Sequence, residues 1–187
     1  MIYAVIIILV ALVLYVVAVY NKLKTTQQHI KEAWSNIDTQ LKRRYDLIPN
    51  LVETVKGYAK HEAETLKAVI EARNAAMSNQ SADTQTRAKD ENVLSDTLKS
   101  IFALSENYPE LKANQNYLNL QNELVDTEDK IQAARSFYNT SVLSLNTQVD
   151  TFPSNIIAGK FGIQKQAFFE LDEAEKKAVK EAPKVSF

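Results

Sequence analysis

Apolar residues follow two patterns along this chain. From Ile2 to Val19 they run as IYAVIIILVALVLYVVAV, without a charged residue, and the run closes at Tyr20. At ~1.5 Å per residue a helix of this length matches the roughly 30 Å hydrocarbon core of a bilayer, and it leaves no polar face for water. Residues 1–20 are therefore expected to form a transmembrane anchor. A cleaved signal peptide needs a positive start and small residues before the cut. Here the first charge is Lys22 and the run leaves as Val16-Val17-Ala18-Val19-Tyr20, so the anchor is expected to stay.

Past the anchor the apolar positions fall in steps of three and four: Ile30, Trp34, Ile37, Leu41, Tyr45, Ile48, Leu51 or Val52, Val55, Tyr58 or Ala59, then Leu66 and Val69. That spacing draws one stripe on a helix. Pro49 interrupts it, since proline lacks an N–H and disfavours helical geometry in the residue before it, so a break or a kink is expected there. The predicted helices run from Lys22 to Leu47 and from about Pro49 to Met77. Ser78 to Asp90 loses the rhythm and reads as a loop. A third helix carries Val93, Leu94, Leu98, Ile101, Phe102 and Leu104, and a fourth starts at Tyr108-Pro109-Glu110, where proline and glutamate suit a first turn.

The fourth helix, expected from about Glu110 to Thr151, repeats by sevens in the manner of a coiled coil. Tyr117, Leu124, Ile131, Tyr138, Leu145 and Phe152 form one row, with Leu111, Leu118 and Val125 beside it. Between them lies a row of Asn114, Gln121, Glu128 and Arg135, continuing as Val142 and Val149. A polar row flanked by apolar rows should be partly buried and hydrogen-bonded across to facing helices. Arg43, Arg44, Asp46, Asn50 and Arg73 are the available partners.

The expected fold is all-α: the anchor, then an up-and-down (antiparallel) four-helix bundle over residues 21–151. Helices of about 37, 43 and 26 Å would pair with a fourth of about 63 Å, which overshoots. Kinks at Pro49 and Pro109 would instead give a long antiparallel hairpin of two proline-kinked helices, and that alternative stays open. Over residues 152–170, Phe152, Ile156, Ile157, Phe161, Ile163, Phe168 and Phe169 form an apolar segment broken by Gly159 and Gly162, expected to cap the bundle end or to touch the lipid surface. Residues 171–187, rich in Lys, Glu and Ala, read as a disordered tail.

Composition narrows the function. Three glycines and four prolines in 187 residues are too few for a sheet-and-turn protein, and a net charge of −1 gives no reason to expect nucleic acid. Without cysteine there is no disulfide, thiolate metal site or cysteine nucleophile. His61-Glu62 opens like a zinc-protease motif, but the second histidine is missing because position 65 is Thr65, and His29 is the other histidine. No serine lies in a glycine elbow, and Gly57, Gly159 and Gly162 match no phosphate-binding loop. No catalytic, metal or cofactor site is expected. The remaining enzymatic alternative would use Glu128 with Arg135 or His61. Asp38, Arg43, Arg44 and Asp46, within about two turns, read as surface ion pairs worth ~0.2–1 kcal/mol each, or as an arginine pair holding anionic headgroups or a partner's carboxylates.

The stretch EAWSNIDTQLKRRYDLIPNLVETVKGYAKHE, with Ala72-Arg73-Asn74, Tyr108-Pro109-Glu110-Leu111-Lys112-Ala113-Asn114-Gln115-Asn116, Leu120-Gln121, Ala134-Arg135, Tyr138-Asn139 and Phe152-Pro153, resembles the LemA family. The resemblance runs from the anchor to about Phe169, and motifs this long and ordered are specific. It implies a bacterial inner-membrane protein with one N-terminal span and a four-helix bundle, related to a protein of magnetosome membranes, and it implies no agreed biochemical activity. The expected function is a non-catalytic membrane scaffold or adaptor that contacts itself or unidentified membrane proteins. A membrane-stress sensor or regulatory subunit is the alternative. Lys22, Lys24 and Lys31 on the C-terminal side of the span favour a single-pass topology with the N-terminus outside and the bundle cytoplasmic.

Overall fold

The computed structural model describes residues 1–169; its regular elements are all helices, with no strand among the described residues. Its helices are α1 (Ile2–Tyr58), α2 (Ala63–Ser78), α3 (Thr84–Ser105), α4 (Pro109–Lys112), α5 (Gln115–Asp150) and α6 (Ser154–Lys160). They form two compact units: residues 1–37 with 133–168, and residues 38–132 with Phe169. The tail expected over residues 171–187 lies outside the described residues.

Helix α1 passes through Pro49 without a break. Proline at 49 removes the N–H that would bond the carbonyl of Tyr45 one turn earlier. In the second unit the guanidinium of Arg73, from α2, fills that gap, its Nε donating to the Tyr45 carbonyl oxygen at 2.8 Å. A buried carbonyl thus keeps a partner, and the helix continues. The stripe is buried as its spacing predicts, at Ile37, Leu41, Tyr45, Ile48, Leu51 and Val55, whereas none of the apolar stretch at the start of α1 is buried.

The chain reverses at Ala59–Glu62, where the Glu62 N–H bonds the Ala59 carbonyl at 3.2 Å, rather than at Pro49. Ala59 and Leu66 are seven residues apart and both buried, so the apolar phase carries straight across this turn. The predicted loop at Ser78–Asp90 is shorter than expected. Asp83 caps α3 by accepting from the N–H groups of Gln85 and Thr86, both at 3.0 Å, and Thr84 onward is helical. Pro109 starts a helical turn, but α4 closes after Lys112 and Asn114 recaps the chain, its Oδ1 accepting from Tyr117 N–H at 3.0 Å. Within the second unit, α1 and α5 run antiparallel, Tyr58 meeting Asn114 and Arg44 meeting Glu128. Contacts of Asp38 with Arg87, Arg44 with Glu91 and Glu62 with Tyr108 set α3 in the direction of α1.

In the first unit α1 and α5 are also antiparallel, with Gln148 bonding Thr26 at 3.2 Å and the rings of Trp34 and Tyr138 5.3 Å apart. Helix α6 buries Ile157 and Ala158 and ends on Gly162 at φ 65°, with Ile163 N–H reaching back to the Ala158 carbonyl at 2.9 Å. This left-handed turn suits glycine and points the chain back along α5. The returning strap is pinned by Lys165 to Asp150 at 2.6 Å, by both amide groups of Asn146 to the Gln166 backbone, and by Tyr138 Oη to the Ala167 carbonyl at 3.0 Å.

Candidate functional site

The polar centre of the second unit is Arg44. Its side chain is 0% exposed, and it lies between two carboxylates from different helices, Glu91 of α3 (1% exposed) and Glu128 of α5 (31% exposed). Nη1 donates to Glu128 Oε2 at 2.6 Å and to Ser95 Oγ at 2.8 Å, while Nη2 meets Glu91. Ser95 in turn donates to Glu128 at 3.2 Å. Tyr45, next to Arg44 on α1, donates its phenol to the other Glu91 oxygen. Burial, reinforced by the Glu91 carboxylate, pushes the Tyr45 phenol well above its ordinary range, so it remains a donor. Removing these charges from water is costly, and the converging bonds are what make the burial tolerable.

The other predicted residues are placed differently. Arg43, one step round the helix and 43% exposed, reaches Glu123 and Asp126 at 3.7 and 3.6 Å, the weak surface pairing expected of it. Arg44 departs from that expectation, being interior. Asp46 lines an open cleft of about 560 Å³ together with Asp38, Lys42, Met77, Gln80 and Arg87. Arg87 is itself buried and pairs with Asp38 at 2.6 Å. Asn50 is exposed, and its carbonyl accepts from Thr54 Oγ1 at 2.8 Å. Arg73 bonds the Tyr45 carbonyl, Asn114 caps α5 and donates to Tyr58 Oη at 2.9 Å, and Gln121 is half-buried. Of the sevenfold polar row, Glu128 joins Arg44, whereas Arg135 is buried in the first unit.

These converging bonds form a clasp between α1, α3 and α5. Arg44 offers donors to acceptors already in place on Glu91, Glu128 and Ser95, and the Ser95 hydroxyl is itself tied to the Glu128 carboxylate. His61 is exposed in the α1–α2 turn, close in sequence to Tyr58, which meets Asn114. Glu128 lies about 21 Å further along α5 at the helical rise, so His61 and Glu128 are not brought together. Among the described residues no group of three or more His, Cys, Asp or Glu is placed to hold a metal ion.

Sequence reasoning missed Glu91, Ser95 and Arg87, all on α3. The signal was present: Glu91 stands three residues before Leu94 and seven before Leu98, and Arg87 seven before Leu94, on the stripe that α3 buries. Reading residues 78–90 as a loop cut that stripe short.

The LemA family model matches residues 33–187. The chain is 30% identical to Protein LemA of Metamycoplasma hominis over 83% of its own length and 71% of that protein's. It is 22% identical to Magnetosome protein MamQ of Magnetospirillum gryphiswaldense over 86% of its length and 68% of the relative's. A 73-residue stretch is 27% identical to Magnetosome protein MamQ 2 of Paramagnetospirillum magneticum, covering 39% of this chain and 27% of that one.

Proposed function

This chain belongs to the LemA family, and we propose that it is a non-catalytic scaffold of the bacterial inner membrane, anchored by one span and acting through helix-mediated contacts with itself or with membrane proteins. The observation that carries the reading is α1 itself. One unbroken helix begins as an exposed apolar stretch of membrane length and continues as the buried stripe of the globular part. A span that runs on into the buried stripe of the first unit suits a protein that holds that unit at the bilayer surface. The similarity to a magnetosome protein fits such a role.

An up-and-down four-helix bundle is the arrangement we propose for the domain, supported within the second unit by the antiparallel pairing of α1 with α5 and by α3 running in the direction of α1. In this reading the Arg44 clasp sets helix register rather than binding a substrate. The flanking Lys22, Lys24 and Lys31 favour a cytoplasmic domain, and protease added outside intact spheroplasts should leave it uncut. The scaffold is tested by crosslinking the full-length chain in intact membranes and purifying it in mild detergent. Discrete self-contacts or a defined membrane-protein partner are expected. Monomer alone, with no partner recovered, overturns the proposal.

A further inference from the structure

Beyond the span, the first unit leaves Phe137, Leu143 and Phe168 uncovered, and it exposes three further large apolar side chains in and beside α6. Phe152 is 79% exposed, Ile156 63% and Phe161 51%. Isolated exposed apolar residues are ordinary, but a cluster of this kind on one end of a unit marks a contact surface. Its height along the unit can be worked out. Gln148 of α5 lies opposite Thr26 of α1, and Tyr20 is six residues before Thr26, about 9 Å along the helix. Helix α5 ends at Asp150, two residues beyond Gln148 and about 3 Å in the same direction, and Phe152 follows in the turn. Phe161 reaches that level directly, its ring 4.5 Å from the Tyr20 ring. Tyr20 closes the apolar run, so Phe161 lies where the span would leave the hydrocarbon, with Phe152 following the α5 end that points to it and Ile156 on the short helix between them.

The charges around them have one sign. Residues 1–31 and 151–169 hold Lys22, Lys24, Lys31, Lys160 and Lys165 and no Asp or Glu, and the adjacent Asp150 is taken up by Lys165. Lys24 stands 5.7 Å over the Tyr20 ring. Apolar side chains beside lysines, continuous with a membrane span, match the headgroup boundary of an anionic bilayer, where aromatic rings are favoured and each lysine gains from the surface potential.

We infer that Phe152, Ile156 and Phe161 form a foot that inserts into the headgroup layer of the same bilayer the span crosses, with Lys22, Lys24 and Lys160 drawing it to anionic lipid. This rests on the membrane-anchored reading above. The foot gives the protein a second membrane contact through α6 and fixes the tilt and rotation of the first unit against the surface. The Asn146 clasp and the turn at Gly162 hold it at that height.

The absence of native cysteine allows single labels on the full-length chain. Ile156→Cys, Thr140→Cys and Leu9→Cys would each carry an environment-sensitive fluorophore after reconstitution into vesicles of about three parts phosphatidylethanolamine to one part phosphatidylglycerol. Position 156 should be quenched by lipids spin-labelled near the headgroup, position 9 by lipids labelled deep in the acyl chain, and position 140, about 15 Å back along α5 from its end at Asp150, by neither. Quenching at 9 with none at 156 overturns the foot and leaves the span intact. No quenching at 9 overturns the span itself. Equal quenching at 156 in vesicles lacking phosphatidylglycerol removes the anionic preference. Crosslinking through position 156 to a second copy, without quenching, would assign the patch to a protein interface and overturn the proposal.

Discussion

The bond from Arg73 to the Tyr45 carbonyl makes a quantitative claim about how α1 tolerates Pro49. Arg73→Met keeps most of the side-chain stem but removes the donor, leaving a carbonyl that the proline has already deprived of its helical partner. A hydrogen bond from a charged donor contributes about 1.5–3 kcal/mol, and orphaning a buried acceptor costs about 1–3 kcal/mol, so a loss of about 2 kcal/mol is expected from this one substitution. The second arm is Pro49→Ala, which restores the N–H and should itself stabilise, since proline in a helix interior costs about 3 kcal/mol relative to alanine. In the Pro49→Ala background the Tyr45 carbonyl has its own helical bond. Arg73→Met should then cost less than about 1 kcal/mol, giving a coupling energy of about 1–2 kcal/mol between two residues that touch only through a third residue's backbone. Denaturant unfolding of the full-length chain and its variants in mild detergent, followed by far-ultraviolet circular dichroism, measures all four corners of the cycle. Equal costs of Arg73→Met in both backgrounds, within about 0.5 kcal/mol, would falsify the account of how the helix crosses Pro49.

Arg44→Met should destabilise the second unit by about 3–5 kcal/mol, because Glu91 is left charged and buried; a loss below about 1 kcal/mol in the same unfolding assay would mean that water reaches the carboxylate. Tyr45 gives an alkaline signature. Its phenol is neutral in both folded and unfolded chains below its ordinary pKa of 10.0, and above that pH the unfolded chain ionises while the folded one resists. Stability should therefore fall as pH rises past about 10, by up to about 1.4 kcal/mol per unit, and Tyr45→Phe should flatten the decline. Asn146→Ala removes both amide bonds to Gln166, and native-state hydrogen exchange should show the Gln166 N–H losing protection while α5 keeps its own. Gly162→Ala forces a side chain into φ 65° and should cost about 1 kcal/mol, read by thermal melting; an unchanged midpoint would contradict the turn geometry.

Helix phase was the legible part of the fold. The row Tyr117, Leu124, Ile131, Tyr138 and Leu145 is buried, because a residue seven positions on returns to nearly the same helical face within each unit. Phe152 continues the count by sevens but lies beyond the end of α5, where the helical face no longer exists, and it is exposed. Periodicity gave no warning of the turn at Ala59–Glu62, since a reversal that preserves the apolar phase leaves no trace in the spacing. The same limit applies to the polar row. Its spacing shows that Asn114, Gln121, Glu128 and Arg135 share a face, but what each one meets depends on the facing elements, so one caps a helix, one joins the clasp and one belongs to the other unit.

Arg43 and Arg44 show where the reading of the site went astray and what would have corrected it. As a pair of adjacent arginines they look equivalent, and charge argues for the surface. Their phases differ by about 100°, however, and that is decisive on a helix with a narrow apolar stripe. Arg44 stands seven residues from both Ile37 and Leu51, three from Leu41 and four from Ile48, all buried, so the backbone must point it inward whatever its charge. Arg43 has no such spacing and stays outside. A charge that is in phase with a stripe has to be met by opposite charge on the helices facing it, and Glu91 stands on its own helix's stripe in the same way. Arg44 on one stripe and Glu91 on the facing one make a pairing constraint: sliding either helix by a turn would set Arg44 against apolar side chains or against Arg87, one turn before Glu91 on the same stripe, at a cost of several kcal/mol per ion. That penalty selects the register of α1 against α3 more sharply than aliphatic packing alone would, since aliphatic side chains tolerate repacking and an unpaired buried charge does not.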